Sequence, residues 1–177
     1  MRPLARCSRE ADGERVPTDE HNNYGEDVPT PDFIIRLREK IGHDLLWLPG
    51  ATAVVLRDDQ VLLVQRSDNG CWAPVTGIVD PGELPEAAAE REVLEETSVV
   101  CGVEALVWVN TAPPTVHSNG DRAQYLDHTF RCRYIGGDPY PADDESTAAA
   151  WFSLSDLPAM APVLHERIRR AAQHAVA

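Results

Sequence analysis

The sequence predicts an α/β domain in which helices cover a mixed β-sheet. Three observations carry that prediction. Short β-rich runs lie on both sides of one strongly helical stretch, 85–97, and a second helical stretch closes the chain. The runs at 51–56 and 61–65 are almost continuously apolar, as strands buried on both faces are. The length, 177 residues, suits one domain with a full core plus some extra material.

Residues 1–29 are polar, charged and interrupted by Pro3, Pro17, Gly25 and Pro29, a composition that cannot bury much surface. They read as a flexible extension, an arm of a homodimer, or the product of a misplaced start codon, ahead of a domain spanning 30–177. Thr30 as N-cap and Pro31 at the first helical position predict a helix over 30–42. Phe33, Ile34, Leu37 and Ile41 form its apolar stripe, and Gly42 ends it. Leu45–Leu48 is a short apolar segment expected to pack on the domain or on a partner. The core is expected over about 51–157.

Ala51–Leu56 and Val61–Gln65 predict a hairpin turned at 57–60, and a short strand is expected around Trp72–Ala73. From Pro85 to Thr97 the residues are strong helix formers, and Pro85 suits a first helical position because its missing N–H would have no intrahelical partner there. Val99–Asn110 and Gln124–Ile135 are β-rich, separated by Pro113-Pro114 and Ser118-Asn119-Gly120-Asp121. Gly136–Ser146 reads as a loop, Thr147–Ser153 as the last strand and Asp156-Leu157-Pro158 as a short helical turn. A closing helix runs from Pro162 to about Ala175, with Val163, Leu164, Ile168 and Ala172 available to its inner side.

Composition sets outer limits on function. The net charge is −13, from 16 basic and 29 acidic residues, which disfavours a nucleic-acid polymer as partner. No apolar run approaches the roughly 20 residues of a membrane span. Cys7, Cys71, Cys101 and Cys132 are widely spread and make no Cys-x-x-Cys pair, so neither a zinc site nor a disulfide framework is expected. The first residues, MRPLARCSREADGE, lack the apolar region of a signal peptide, and the expected setting is the cytoplasm with reduced thiols.

On the helix 85–97, Glu92, Glu95 and Glu96 stand at i, i+3 and i+4, so their carboxylates share one face. Like charges at that spacing repel by a few tenths of a kcal/mol per pair, and a bound cation removes that cost. With no Cys or His at liganding distance along the helix, the ion would be hard and oxygen-preferring: magnesium, with manganese as a substitute. On those three residues alone, a solvated acidic face is the simpler reading. The surrounding spacing changes it. Gly77, five residues, Glu83, seven residues and then Arg91-Glu92-Val93-Leu94-Glu95-Glu96 resembles the signature box of the Nudix hydrolase family. That box is Gly-x5-Glu-x7-Arg-Glu-(apolar)-x-Glu-Glu-x-Gly-(apolar). Ser98 replaces its last glycine, Val99 restores the final apolar place, and Thr76 stands where a first glycine is common before Gly77.

The resemblance covers about 51–157, including the trailing Trp151-Phe152-Ser153-Leu154, and implies an α/β/α sandwich with a mixed sheet. It implies that Glu92, Glu95 and Glu96 hold the divalent ions, that the Gly77 backbone lies close to them, and that Arg91 orients a metal-binding glutamate. Glu83 would support the loop–helix geometry or the metal shell. Family members supply one further acid from a late loop; among Asp143, Asp144 and Glu145 the expected one is Glu145, against the plain reading of a solvated turn. The implied activity is magnesium-assisted attack of water on the pyrophosphate bond of a nucleoside diphosphate linked to another group. ADP-ribose or a sugar nucleotide, a nucleoside triphosphate and a dinucleoside polyphosphate are the substrate classes. A Nudix-like module that senses a nucleotide without cleaving it is the alternative, and loss of box glutamates would favour it; none is lost. Arg66, Arg122 and Arg131 are candidate phosphate partners, and Trp47, Trp72 and Tyr125 candidate base-stacking residues, with plain surface or core roles as the simpler readings. His117 and His128 are expected to be structural. If position 98 needs positive φ, serine costs on the order of 1 kcal/mol there.

Overall fold

Strand β1 (Leu46–Arg57) runs through the middle of the fold and is buried from Gly50 to Leu56. In the computed structural model, which describes residues 30–117 and 119–175, α1 (Asp32–Ile41) precedes it. After it come β2 (Gln60–Arg66), β3 (Trp72–Ala73), β4 (Val75–Ile78), α2 (Pro85–Thr97), β5 (Val100–Thr111), β6 (Thr115–Val116), β7 (Arg122–Gly136), β8 (Ser146–Ser153) and α3 (Pro162–Gln173). The expectations for residues 1–29 lie outside the described residues.

The sheet is mixed. β1 pairs in parallel with β7 from Leu46↔Ala123 to Leu56↔Arg133, and antiparallel with β4 over Gly50–Ala53. β5 pairs antiparallel with β7 at the far side, and β8 pairs antiparallel with β2. The expected hairpin of β1 and β2 is only a turn, Leu56↔Val61 and Arg57↔Gln60, because β4 takes the rest of that edge of β1. Apolar periodicity reports that a strand is buried, not which strand lies beside it.

Side chains of β1 alternate between two cores. Ala51, Ala53 and Val55 pack with Leu62, Val64 and the α2 residues Ala88, Ala89 and Val93. Val54 and Leu56 pack on the other face with Leu63 and the α3 residues Ile168 and Ala171. Both faces are therefore apolar, which accounts for the unbroken apolar run. α1 joins the second face through Ile34 against Leu48 and Ala123. Among the described residues no helix is long and apolar enough to cross a membrane.

Several element ends differ from expectation. The first turn of α1 closes on the Pro31 carbonyl, which accepts from Ile34 and Ile35 at 2.9 and 3.2 Å, so Pro31 rather than Thr30 is the cap. Leu46–Leu48 begins β1; Leu48 is buried while Trp47 stays 54% exposed. No helical turn forms at Asp156–Pro158, where Asp156 N–H meets the Ser153 carbonyl at 3.0 Å in a tight turn and Pro158 disfavours the helical region for Leu157. α3 stops at Gln173, and Val163 faces outward while Leu164, Ile168 and Ala171 turn inward. Cys101 and Cys132 are free, buried thiols, whereas Cys71 is not among the free ones.

α2 spans the expected residues, with Pro85 at its first position. It ends at Ser98, which adopts φ 56° and ψ 13° while its N–H reaches the Leu94 carbonyl at 2.9 Å. The left-handed cap is therefore made by a serine. Ser98→Gly relieves that strain but loosens the unfolded chain, so the thermal midpoint is expected to stay level or rise by a few degrees. A clear fall in a melting experiment would contradict this account of the cap.

Candidate active site

The loop before α2 and the helix itself are joined by one guanidinium. Arg91 donates through Nε and Nη2 to the two carboxylate oxygens of Glu83 at 2.9 and 3.1 Å. Its Nη1 reaches Glu92 Oε1 and Glu95 Oε2, each at 2.9 Å, and Nη2 also meets the Ile78 carbonyl at 3.3 Å. Glu83 in turn accepts from the Asp80 N–H at 3.1 Å. The Arg91 hydrogen bonds hold the Glu83 carboxyl below its usual range, against a partial desolvation that works the other way.

Gly77 lies beneath Glu92. A Cβ at position 77 would fall within the Glu92 side chain, so only glycine leaves the carboxylate its place. The position is set by β4, where Gly77 pairs with Ala51 of β1.

The last turn of α2 meets the loop that follows β7. The Tyr140 and Ala142 N–H groups satisfy the terminal carbonyls of Thr97 and Glu96 at 3.3 and 3.0 Å. This docking brings Asp143 and Glu145 to Glu96. Asp143 Oδ1 accepts the Glu145 N–H at 3.0 Å, and the Ser146 hydroxyl donates to Glu96 Oε2 at 3.2 Å. Burial, then the charges of Glu145, Asp143 and Glu92, push the Glu96 carboxyl up to about 8. Burial raises Glu92 to about 7 although Arg91 opposes it, and burial followed by the Asp143 charge raises Glu145. These carboxyls crowd one another in a partly desolvated place.

A carboxyl whose pKa rises on folding stabilises the fold below its ordinary value and loses that contribution as pH climbs through the folded value. For Glu92 and Glu96 the window runs from 4.5 to about 7 and about 8. The metal-free protein is therefore expected to lose thermal stability as pH rises from 4.5 to about 8. Magnesium should restore more of it the higher the pH, because the ligands must be ionised. Melting curves with and without magnesium across that range check both trends; a metal effect that does not grow with pH would contradict them.

Among the described residues, no three Asp, Glu, His or Cys side chains stand with their donor atoms already converged on one point. The donor set still fits a hard divalent ion. Its members are carboxylates, their mutual repulsion and desolvation are what a cation relieves, and the missing Cβ of Gly77 makes room for one of them. Glu95, 55% exposed at its side chain, is the most open to solvent of the three helix glutamates.

Other sequence candidates separate clearly. Arg131 is committed to Glu104 at 2.8 Å and to the Ala171 carbonyl at 2.8 Å, so it braces α3. The Arg122 carbonyl accepts from Arg38 at 2.8 Å, far along the chain from α2. Trp72 packs edge-on to Phe152 with ring centres 4.7 Å apart, in the second core. His128 Nδ1 lies 3.0 Å from the Gly50 carbonyl, a structural contact. Tyr125 is half-buried beside Gly50. Ser146 and the backbone of Tyr140 and Ala142 escaped sequence reasoning. They contribute a hydroxyl and two N–H groups whose importance depends on a docking contact between distant segments.

Comparison with known proteins follows the same lines. The NUDIX domain family model matches residues 47–174. The ADP-ribose pyrophosphatase of Methanocaldococcus jannaschii is 34% identical over 129 residues, which cover 70% of this chain and 73% of that protein. The NAD-capped RNA hydrolase NudC of Pseudomonas syringae pv. tomato is 32% identical over 149 residues, 82% of this chain but only 44% of that protein. A solved NUDIX hydrolase structure from Nitrosomonas europaea superposes with a TM-score of 0.60 at 30% identity, over 72% of this chain and 89% of that one.

Proposed function

The chain belongs to the Nudix hydrolase family and is a pyrophosphohydrolase, and from that premise we propose that its substrate is a nucleoside diphosphate linked to another group. ADP-ribose or a sugar nucleotide stands ahead of a nucleoside triphosphate, in keeping with the M. jannaschii relative. The observation that carries the reading is the meeting of Glu145 with Glu92 and Glu96 beside a box that keeps all its carboxylates. The nucleotide-sensing alternative is not favoured, since every box carboxylate is present.

In this reading Glu92, Glu95 and Glu96, with the Gly77 backbone close by, would hold magnesium, or manganese in its place. A bound divalent ion supplies neutralisation of the phosphate charge and a lowered pKa for water. The rest falls to the chain. Arg91, fixed by Glu83, keeps Glu92 and Glu95 in register. Glu145, whose proton affinity is raised at the site, takes the proton of the attacking water. Phosphoryl chemistry is mainly positioning and charge neutralisation, so a site made almost wholly of carboxylates and one arginine suffices. The setting we propose is the cytoplasm, where magnesium and free nucleotides meet.

Product analysis tests the substrate class. ADP-ribose, sugar nucleotides, dinucleoside polyphosphates, and ordinary and oxidised triphosphates are offered in parallel. The expected products are a nucleoside monophosphate and a phosphorylated partner from the linked diphosphates. Cleavage confined to triphosphates would overturn that choice of substrate.

A further inference from the structure

The turn between β2 and β3 carries a cysteine whose place is fixed at both of its peptide groups. The Cys71 N–H donates to Asn69 Oδ1 at 2.8 Å, and its carbonyl accepts the Arg66 N–H at 3.0 Å. Arg66, itself ion-paired with Asp68 at 2.8 Å, lies opposite Ser146 of β8, whose hydroxyl donates to Glu96. The N–H of Ser67, in the same turn, meets the Glu145 carbonyl at 2.9 Å. Neighbouring strands lie about 4.8 Å apart, so Cys71 stands about 10 Å from Ser146, at the rim of the carboxylate site. Cys71 is half-buried and disulfide-bonded. The sequence holds four cysteines, and Cys101 and Cys132 are free thiols shut into the core beneath α2. Cys7 is the one that remains.

We propose that Cys7 and Cys71 form a reversible disulfide that ties the N-terminal segment to the rim of the carboxylate site and weakens magnesium binding there until the link is reduced. The inference rests on the metal-dependent reading above. Residues 1–9 carry Arg2, Arg6 and Arg9 and no acid, in a chain of net charge −13. Consecutive Cα atoms are about 3.8 Å apart, so covalent geometry alone keeps Arg6 and Arg9 within about 8 Å of Cys7. Linked to Cys71, they are confined to the neighbourhood of Glu96, Glu145 and Asp143, and opposite charge draws their long side chains toward those carboxylates. A guanidinium there opposes the entry of a further cation. Disulfides of cytoplasmic proteins are mostly of this transient, redox-sensing kind. With a hydroperoxide as oxidant, one S–S bond forms and one O–O bond breaks. Two electrons pass from the sulfurs to the peroxide, and the two thiol protons leave in one water and one alcohol. A dithiol reverses the step by exchange, giving back both thiols and taking the disulfide itself.

Peptide mapping of the full chain and its melting response to magnesium test the two halves without requiring turnover. After treatment with a hydroperoxide, alkylation under denaturing conditions is expected at Cys101 and Cys132 only. Cys7 and Cys71 should be recovered in one linked peptide, from a chain that runs as a monomer on a denaturing gel without reductant. Dithiothreitol should open all four cysteines to alkylation. The oxidised protein is expected to need about three- to tenfold more magnesium than the reduced protein for half of the metal-induced rise in melting midpoint, a gap that narrows in high salt. Cys7→Ser should make the magnesium response indifferent to the oxidant. Replacing Arg2, Arg6 and Arg9 together by glutamine should keep the linked peptide and lose the gap; a gap kept in that variant would overturn the charge argument. Alkylation of Cys7 or Cys71 in the oxidised protein, a link between two copies, or equal magnesium requirements in the two redox states would each overturn the inference. Failure of the pyrophosphohydrolase reading would show separately, as no nucleotide cleaved by the reduced protein.

Discussion

Glu96→Gln is expected to lower turnover by about two to three orders of magnitude while leaving the metal-free protein as stable as the parent, or more so. The two halves of this expectation have one cause. Glu96 is 4% exposed and shares its surroundings with Glu145, Asp143 and Glu92, so its charge is costly to the fold unless a cation offsets it. Several kcal/mol of charge stabilisation at the phosphate depend on the divalent ion, and each 1.4 kcal/mol is about a factor of ten in rate. Glutamine keeps the acceptor oxygen for the Ser146 hydroxyl, so the fold loses little. Glu95→Gln should also depress turnover, but without gaining stability, because Glu95 is exposed and paired with Arg91. Steady-state rates and melting midpoints in chelator check both. Near-normal turnover of Glu96→Gln would remove this residue from the metal set.

Gly77→Ala should be nearly as damaging, by a different route. The added methyl group occupies space now filled by the Glu92 side chain, and that side chain, being flexible, gives way before the backbone does. The fold should survive with a modest loss of stability, since β4 keeps its pairing with β1. Displaced from Arg91, Glu92 would be out of place for the metal-holding role proposed for it. Turnover is expected to fall about a hundredfold or more, and the stabilisation of the protein by magnesium should shrink with it. Activity assays and melting curves at several magnesium concentrations distinguish this from unfolding. An active, fully magnesium-responsive Gly77→Ala protein would mean that the close approach of Gly77 to Glu92 does not matter to the site.

What could be read in the chain before its structure follows from how local each signal is. α2 was legible from Pro85 to Thr97 because propensity and a first-position proline are properties of neighbouring residues. Whether Ser98 is left-handed stayed conditional in the sequence, because serine itself does not ask for positive φ; the structure places it there. Burial of β1 was legible for the same reason, but its partner was not. β4 is four residues long, contains Thr76 and Gly77, and carries no strand pattern of its own, yet it displaces β2 from β1.

The site divides in the same way. Glu92, Glu95 and Glu96 share a helix face by spacing, and the resemblance to the Nudix box added Arg91, Glu83 and Gly77 from the same stretch of sequence. Glu145 had only a resemblance to recommend it, and its place beside Glu96 depends on Tyr140 and Ala142 capping the end of α2. Arg66 could not be separated from Arg122 and Arg131 by sequence. What separates them is the register of β2 against β8, which puts Arg66 opposite Ser146, and the Glu104 contact that engages Arg131 elsewhere.

The most direct test of the pyrophosphohydrolase assignment is the release of nucleoside monophosphate by the wild-type protein in magnesium and in excess chelator. Rapid release from one class of linked nucleoside diphosphate in magnesium, abolished by chelator and restored by added metal, is the predicted result. No release from any nucleotide in magnesium, with one of them nevertheless raising the melting midpoint, would contradict it and make the protein a nucleotide sensor.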